Sequence, residues 1–229
     1  MRALRFVVAG KFAHFRRFYT NSSSLTYPVP PPPTLRGLLG AALGLGPEYA
    51  DELADWRFSV RVASPWRFLF QTANYLKIKK GEFYLAGGEH TQIPLQLVAP
   101  RRLEERVRYE VIALGPGVEE AKSALIRPVY PLSLGPAYAL AAVEEAELVE
   151  GEVQRGYEGL LMGPLLTRAL TALKGPARLL TDRYPTKLAK DRTPLATADL
   201  AVEAEGRPVS VGYAEEVFLS NEGAYSLVG

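Results

Sequence analysis

Apolar residues recur at alternate positions from Leu4 to Ala9 in a short β-branched and aromatic run, which predicts a strand central in its sheet. Gly10 ends it, and a loop dense in basic, aromatic and hydroxyl side chains follows. Pro28 to Pro33 includes four consecutive prolines, which cannot join a sheet ladder and favour polyproline II. Thr34 then reads as the N-cap of a helix over Leu35 to Leu43, with Gly44 or Gly46 as its stop. Gly37, Gly40, Ala41 and Gly44 share one side of that helix, predicting close approach to a sheet or to a ligand backbone.

A short helix is expected around Pro47 to Asp55, then two long strands, Trp56 to Ala63 and Trp66 to Ile78. Gly87 and Gly88 mark a turn. His90 to Ala99 and Arg106 to Leu114 read as another strand pair with Pro-Arg-Arg at its tip. Pro116 to Ile126 has the pattern of a second helix, and Ala137 to Glu147 that of a returning strand. The order β-α-β-β-α-β, with a long hairpin inserted at about residues 66–108, predicts an α+β chain of the ferredoxin-like or RNA-recognition-motif (RRM) type. Beyond Glu150, short apolar pieces alternate with Gly and Pro. The expected organisation is therefore an RRM-like domain over 1–150 and a small β-rich region over 151–229.

Composition narrows the chemistry. The 229 residues are 48% hydrophobic and 23% charged, as in an ordinary globular chain. Cysteine is absent, which excludes disulfides, thiolate metal sites and a cysteine nucleophile. The only histidines, His14 and His90, are too few for a structural zinc site, and no cofactor or metal is expected. The apolar stretch near the start is too short for a signal peptide and no run reaches about 18 apolar residues, so the expectation is a cytoplasmic protein without membrane contact.

The net charge of +2 hides an asymmetry. The first acidic residue is Glu48, so Arg2, Arg5, Lys11, Arg16, Arg17 and Arg36 form a cationic block without internal neutralisation. Residues 57–108 hold ten Lys/Arg against four Glu, whereas 110–158 hold three against nine. One face is therefore expected to meet a polyanion, and the other to meet solvent or protein.

Within the first loop, Lys11, His14, Arg16 and Arg17 interleave with Phe12, Phe15, Phe18 and Tyr19. Cations between aromatics suit single-stranded RNA, where guanidinium groups neutralise phosphate and rings such as Tyr19 and Tyr27 stack on splayed bases. Phe12 and Phe15 read as core. Asn21, Ser22, Ser23, Ser24 and Thr26 can bond phosphate or the 2′-OH, although such residues are more commonly turn formers. Thr34, Leu35 and Arg36 stand at a helix N-terminus, where free N–H groups attract phosphate. The hairpin adds Arg67, Gln71, Asn74, Lys77, Lys79, Lys80, His90, Gln92, Arg101 and Arg102, which fit either a ribbon reaching across a bound strand or protection of a sheet edge.

An enzymatic reading would use His14 or His90 as general base on a ribose 2′-OH, assisted by Lys11 or Tyr27. Asp51, Asp55, Asp182, Asp191 and Asp199 lack the paired spacing of two-metal hydrolysis, and no G-x-S-x-G elbow supports a serine triad. Glu144, Glu145, Glu147, Glu150 and Glu152 read as a solvated or protein-facing surface. The leucine-rich stretch Leu160 to Leu173 reads as core or as a partner groove.

The string FAHFRRFYTNS, followed by SSLTYPVPPPPTLRGLLGAALG (Ser23 to Gly44), resembles the N-terminal signature of the Cas-five family of CRISPR-associated proteins, the RAMP subunit of type I Cascade complexes. RPVYPLSLGPAYALA (Arg127 to Ala141) is similar to the family's segment that ends the second helix and enters the fourth strand. The resemblance covers about residues 1–150. It implies a RAMP-type RRM fold with a thumb-like hairpin between the second and third core strands. It also implies a subunit in antiviral defence that grips the 5′ handle of the crRNA, caps the filament of Cascade backbone subunits and contacts the large subunit. One branch of the family is instead a metal-independent endoribonuclease using a tyrosine and an adjacent Lys-His pair. No Lys-His dipeptide occurs here, so a non-catalytic RNA-binding role is expected, with precursor cleavage by His14, His90 and Tyr27 as the alternative.

Overall fold

The computed structural model describes residues 1–76 and 90–229. In chain order the first half comprises β1 (Arg2–Gly10), β2 (Phe15–Arg16), β3 (Thr26–Tyr27), α1 (Pro32–Leu43), α2 (Tyr49–Glu52), β4 (Arg57–Val62), β5 (Trp66–Leu76), β6 (His90–Pro100) and β7 (Val107–Leu114). The second half comprises α3 (Val118–Ile126), β8 (Ala141–Met162), β9 (Leu165–Leu166), β10 (Leu170–Lys174), β11 (Leu179–Leu188), β12 (Pro194–Glu203), β13 (Val209–Ser220) and β14 (Gly223–Ser226). The chain is α+β and mostly strand.

Seven strands form one sheet in the order β10-β13-β14-β8-β1-β7-β4. The run β8-β1-β7-β4, ending at the β4 edge, is antiparallel throughout. The alternation in β1 sends Leu4, Phe6 and Val8 to one face, where they pack with Leu35, Leu38 and Leu39 of α1 and Val118, Ala121 and Leu125 of α3. On the other face Ala3, Ile112, Leu114 and Val149 pack with Phe218, Tyr225 and Leu227. Strand β1 is thus covered on both sides, with Arg2 exposed and Arg5 partly buried as the charged residues within it.

The expected pairing of His90–Ala99 with Arg106–Leu114 does not occur. Strand β6 pairs along its length with β5, from Trp66↔Pro100 to Leu76↔His90, while β7 enters the sheet between β1 and β4. Burial explains the choice: every residue of β7 except Arg108 is buried, whereas β5 carries Arg67, Gln71, Thr72 and Asn74 exposed and could not occupy an interior position. The turn at Gly87 and Gly88 lies outside the described residues.

Helix α1 starts earlier than expected, and Thr34 is not its cap. Pro31 holds the N-cap position, Pro32 and Pro33 follow it, and Thr34 N–H and Leu35 N–H both donate to the Pro31 carbonyl, at 2.9 and 3.2 Å. Prolines serve here because the first-turn N–H groups have no intrahelical acceptor and a fixed φ is already helical. Gly44 is the stop, with φ 73°. The glycine side of α1 faces other segments than the expected sheet or ligand. A Cβ on Gly40 would lie 2.9 Å from Cβ of Tyr49, and one on Gly44 would lie 2.9 Å from a Val129 methyl.

Strand β8 runs 22 residues. Its first part, to Glu150, pairs with β1, and its continuation from Gly151 pairs with β13. The boundary expected at residue 150 therefore falls inside a continuous strand. Gly151 allows the crossing, because a Cβ there would lie 2.1 Å from the Leu219 carbonyl oxygen. Strands β11, β12 and β9 form a second, three-stranded sheet. Val228 closes the outer edge of β4 by exchanging hydrogen bonds with Phe58 at 2.7 and 2.8 Å. Among the described residues no helix is long and apolar enough to cross a membrane.

Candidate nucleic-acid interface

Beyond Gly10 the chain leaves the sheet and is stitched between β6 and the segment 132–135. Ala13 and Val98 exchange backbone hydrogen bonds at 2.9 and 2.8 Å, and His14 N–H donates to the Leu134 carbonyl at 3.0 Å. Ser24 N–H donates to Pro94 at 2.8 Å, and Gln96 N–H donates back to Ser24 at 2.9 Å. Lys11 folds over the corner between β6 and β7, where its Nζ donates to the Leu103 carbonyl and, at 3.3 Å, to that of Glu105. Phe15 is core as expected, edge-on to Tyr109 at 5.6 Å, and Phe12 is half-buried.

Four residues expected at the surface are instead structural or partly covered. His14 is buried: Nδ1 lies 2.8 Å from the Gln96 carbonyl, to which it donates, leaving Nε2 to accept from the Ser24 hydroxyl at 3.0 Å. Burial pulls its pKa below the ordinary 6.5, so the ring is neutral with both nitrogens occupied. Tyr27 is fully buried, stacks on Tyr184 at 4.2 Å and donates its hydroxyl proton to the Arg183 carbonyl at 2.6 Å. Arg36 is buried because it serves as a carbonyl clamp, reaching Leu53, Trp56 and Thr186 at 3.0, 3.0 and 2.9 Å. Thr34 sits half-buried within the first turn.

The cationic block is neutralised from a distance, contrary to its appearance in the sequence. Arg2 pairs with Glu119, Arg5 with Glu110, Glu147 and Glu222, and Arg17 with Asp182. Arg16 differs. It is exposed, donates to the Thr20 carbonyl at 3.1 Å and forms no ion pair among the described residues. Beside it, Phe18 and Tyr19 are 37% and 46% exposed, with their rings edge to face at 5.2 Å. Asn21 and Ser22 are exposed and Ser23 is half-buried.

The β5–β6 ribbon contributes at its ends. Arg67 is exposed near its base, next to the corner that carries exposed Arg101 and Arg102 and is tied by Arg101 N–H to the Pro65 carbonyl at 3.1 Å. His90 lies exposed at the other end, opposite Leu76 and apart from His14. Lys77, Lys79 and Lys80 lie outside the described residues. Tyr75 on β5 and Tyr138 in the loop before β8 are both exposed, and partial burial, followed by the influence of Tyr75, raises the Tyr138 pKa. Neither was singled out in the sequence, although Tyr138 falls within the string Arg127 to Ala141.

Side by side on β1, β4 and β7 stand Arg5, Arg61 and a Glu110 only 5% exposed, with Arg61 Nη2 2.8 Å and Arg5 Nη2 3.2 Å from its carboxylate. A buried carboxylate flanked by two guanidinium groups provides no aromatic platform.

Residues 3–178 match the family model described as CRISPR-associated protein (Cas_Cas5). The chain belongs to the Cas5 family. Its fold recurs in a CRISPR protein from Archaeoglobus fulgidus, 15% identical, with a TM-score of 0.57 over 100% of this chain and 99% of that one. It recurs in a chain of a CRISPR RNA-guided surveillance complex, 18% identical, with a TM-score of 0.51 over 92% and 91%. A chain of the type III-B Cmr-beta complex bound to cognate target RNA is 11% identical, with a TM-score of 0.50 over 92% and 86%. At these identities the likeness is one of fold. No curated relative matches the sequence. The Cas5 fold thus carries, in this chain, an exposed loop whose Arg16 has no ion pair among the described residues, with two aromatic rings, beside a two-stranded ribbon.

Proposed function

We propose that this Cas5 protein is a non-catalytic subunit of a CRISPR surveillance complex of the type I Cascade class that holds the 5′ handle of the crRNA. The observation that carries the reading is the loop Arg16–Ser22, anchored at both ends and offering to solvent a cation without a carboxylate partner among the described residues, next to the Phe18–Tyr19 pair. Arg16 would neutralise a phosphate while the rings stack on handle bases. Ser22, Ser23 and Asn21 would bond sugar or phosphate oxygens, and Arg67, Arg101 and Arg102 would extend the track along the ribbon base.

The antiparallel order β8-β1-β7-β4 is read as the ferredoxin-like sheet of the RAMP type, and β5–β6 as its thumb. Capping the backbone filament and meeting the large subunit belong to the same reading. The exposed apolar residues Ile126, Val129, Tyr130 and Leu140 are a surface suited to such protein contact. The endoribonuclease alternative loses two of its three groups: both nitrogens of His14 and the hydroxyl of Tyr27 are engaged within the fold.

The purified protein should shift its cognate repeat RNA in EDTA on native gels, with the RNA intact on denaturing gels. A single defined cut that disappears on His90→Ala substitution would replace this reading with the nuclease.

A further inference from the structure

The loop is held from the far end of the chain. Strand β11 lies beyond residue 178, where the family match stops, yet four of its residues grip the interface. Asp182 accepts hydrogen bonds from the Tyr19 hydroxyl and, at 2.7 Å, from Arg183 N–H. Its other oxygen lies 3.0 Å from Arg17 Nε, in an ion pair without hydrogen-bond alignment. The Arg183 carbonyl takes the Tyr27 hydroxyl, Tyr184 stacks on Tyr27, and the Thr186 carbonyl takes Arg36. Pairing with β12, Asp182 opposite Leu200, fixes the strand itself.

Among these contacts only Asp182 reaches the exposed part of the loop. Between Arg17 and Leu25 the loop's own backbone closes with Arg17 N–H to Leu25 at 2.9 Å and Thr20 N–H to Arg17 at 3.4 Å. Neither bond orients Tyr19. The carboxylate does so, and it occupies Arg17 at the same time.

We propose that Asp182 is the positioning residue of the RNA-binding loop, holding Arg17 and Tyr19 so that Arg16 and the Phe18–Tyr19 pair face the RNA. This rests on the handle-binding reading above. It makes a prediction opposite in sign to simple electrostatics. Removing a carboxylate and freeing an arginine would by charge alone tighten RNA binding and steepen its salt dependence. Loss of positioning instead weakens binding, because the loop must be ordered at the moment of association.

The test compares wild type, Asp182→Ala, Asp182→Asn and Tyr19→Phe by affinity for the repeat-derived RNA across a salt series and by amide hydrogen exchange of residues 15–27. Asp182→Ala is expected to bind about tenfold more weakly with an unchanged salt slope and faster exchange between Arg17 and Leu25. Asp182→Asn keeps an acceptor for Tyr19 and Arg183 N–H, and is expected within about twofold of wild type. Tyr19→Phe, which alters only an exposed hydroxyl, should accelerate the same exchange even if Asp182→Ala fails to fold. Equal or tighter binding by Asp182→Ala or, should it not fold, unchanged exchange in Tyr19→Phe would overturn the positioning role alone. Failure of wild type to bind would overturn the handle-binding reading and the positioning role with it.

Discussion

Gly135 lies directly against the backbone of His14: a Cβ at Gly135 would stand 2.0 Å from the His14 carbonyl oxygen. With φ 107° and no room for a side chain, this glycine lets the segment 132–135 seat the first part of the basic loop. Gly135→Ala is therefore expected to cost about 2–4 kcal/mol. Gly156, with φ 83° and open space around its Cβ position, provides the comparison, since alanine there should cost about 1 kcal/mol. Urea denaturation of both variants checks the difference.

Arg36 should matter for stability and not for RNA. Arg36→Ala takes the guanidinium away from the carbonyls of Leu53, Trp56 and Thr186 in a buried site, of which that of Leu53 keeps a second donor, Trp56 N–H at 3.1 Å, at an expected cost of about 3 kcal/mol. Arg36→Lys should recover little, because one ammonium cannot match the spread of the guanidinium fork. Denaturation midpoints measure the loss, while the salt slope of RNA binding by the folded fraction should stay at the wild-type value.

Arg16 and Arg17, adjacent in sequence, should behave differently. Arg16→Ala is expected to lower the slope of log affinity against log salt by about one. Arg17→Ala, whose charge is already matched by Asp182, should leave the slope nearly unchanged. Equal losses of slope for both variants would show that the ion pair opens in the complex.

Acid should destabilise the fold partly through His14. Its folded pKa lies below the unfolded 6.5 because burial disfavours the imidazolium. The unfolded chain therefore binds more protons in that window, so this contribution to stability is present above pH 6.5 and lost as pH falls below it. His14→Gln should show a smaller drop in stability than wild type between about pH 7 and pH 5, measured by chemical denaturation at each pH.

Much of this architecture is legible in adjacent residues. The alternation of Leu4 to Ala9 marks β1, Gly44 stops α1, and Glu119 to Ile126 forms most of α3. These features depend on steric preferences and periodicities that span a few positions. The prolines before α1 are equally visible, but they form its first turn where an extended run ending at Thr34 is the simpler expectation. Both outcomes satisfy a fixed φ, and burial of Pro32 and Leu35 selects the helical one.

The strings from Phe12 to Gly44 and from Arg127 to Ala141 were enough to indicate the Cas5 family, and the early arginines were enough to indicate a cationic end. What the sequence by itself could not decide is which of those cations remain available. Arg5, Arg17 and Arg36 each meet partners more than a hundred positions away, at Glu110, Asp182 and Thr186. The exchange of strand partners by β6 and the passage of β8 through residue 150 are decisions of the same kind. Charge neutralisation and burial are set by whatever packs within a few ångströms, and only the folded chain brings those groups together.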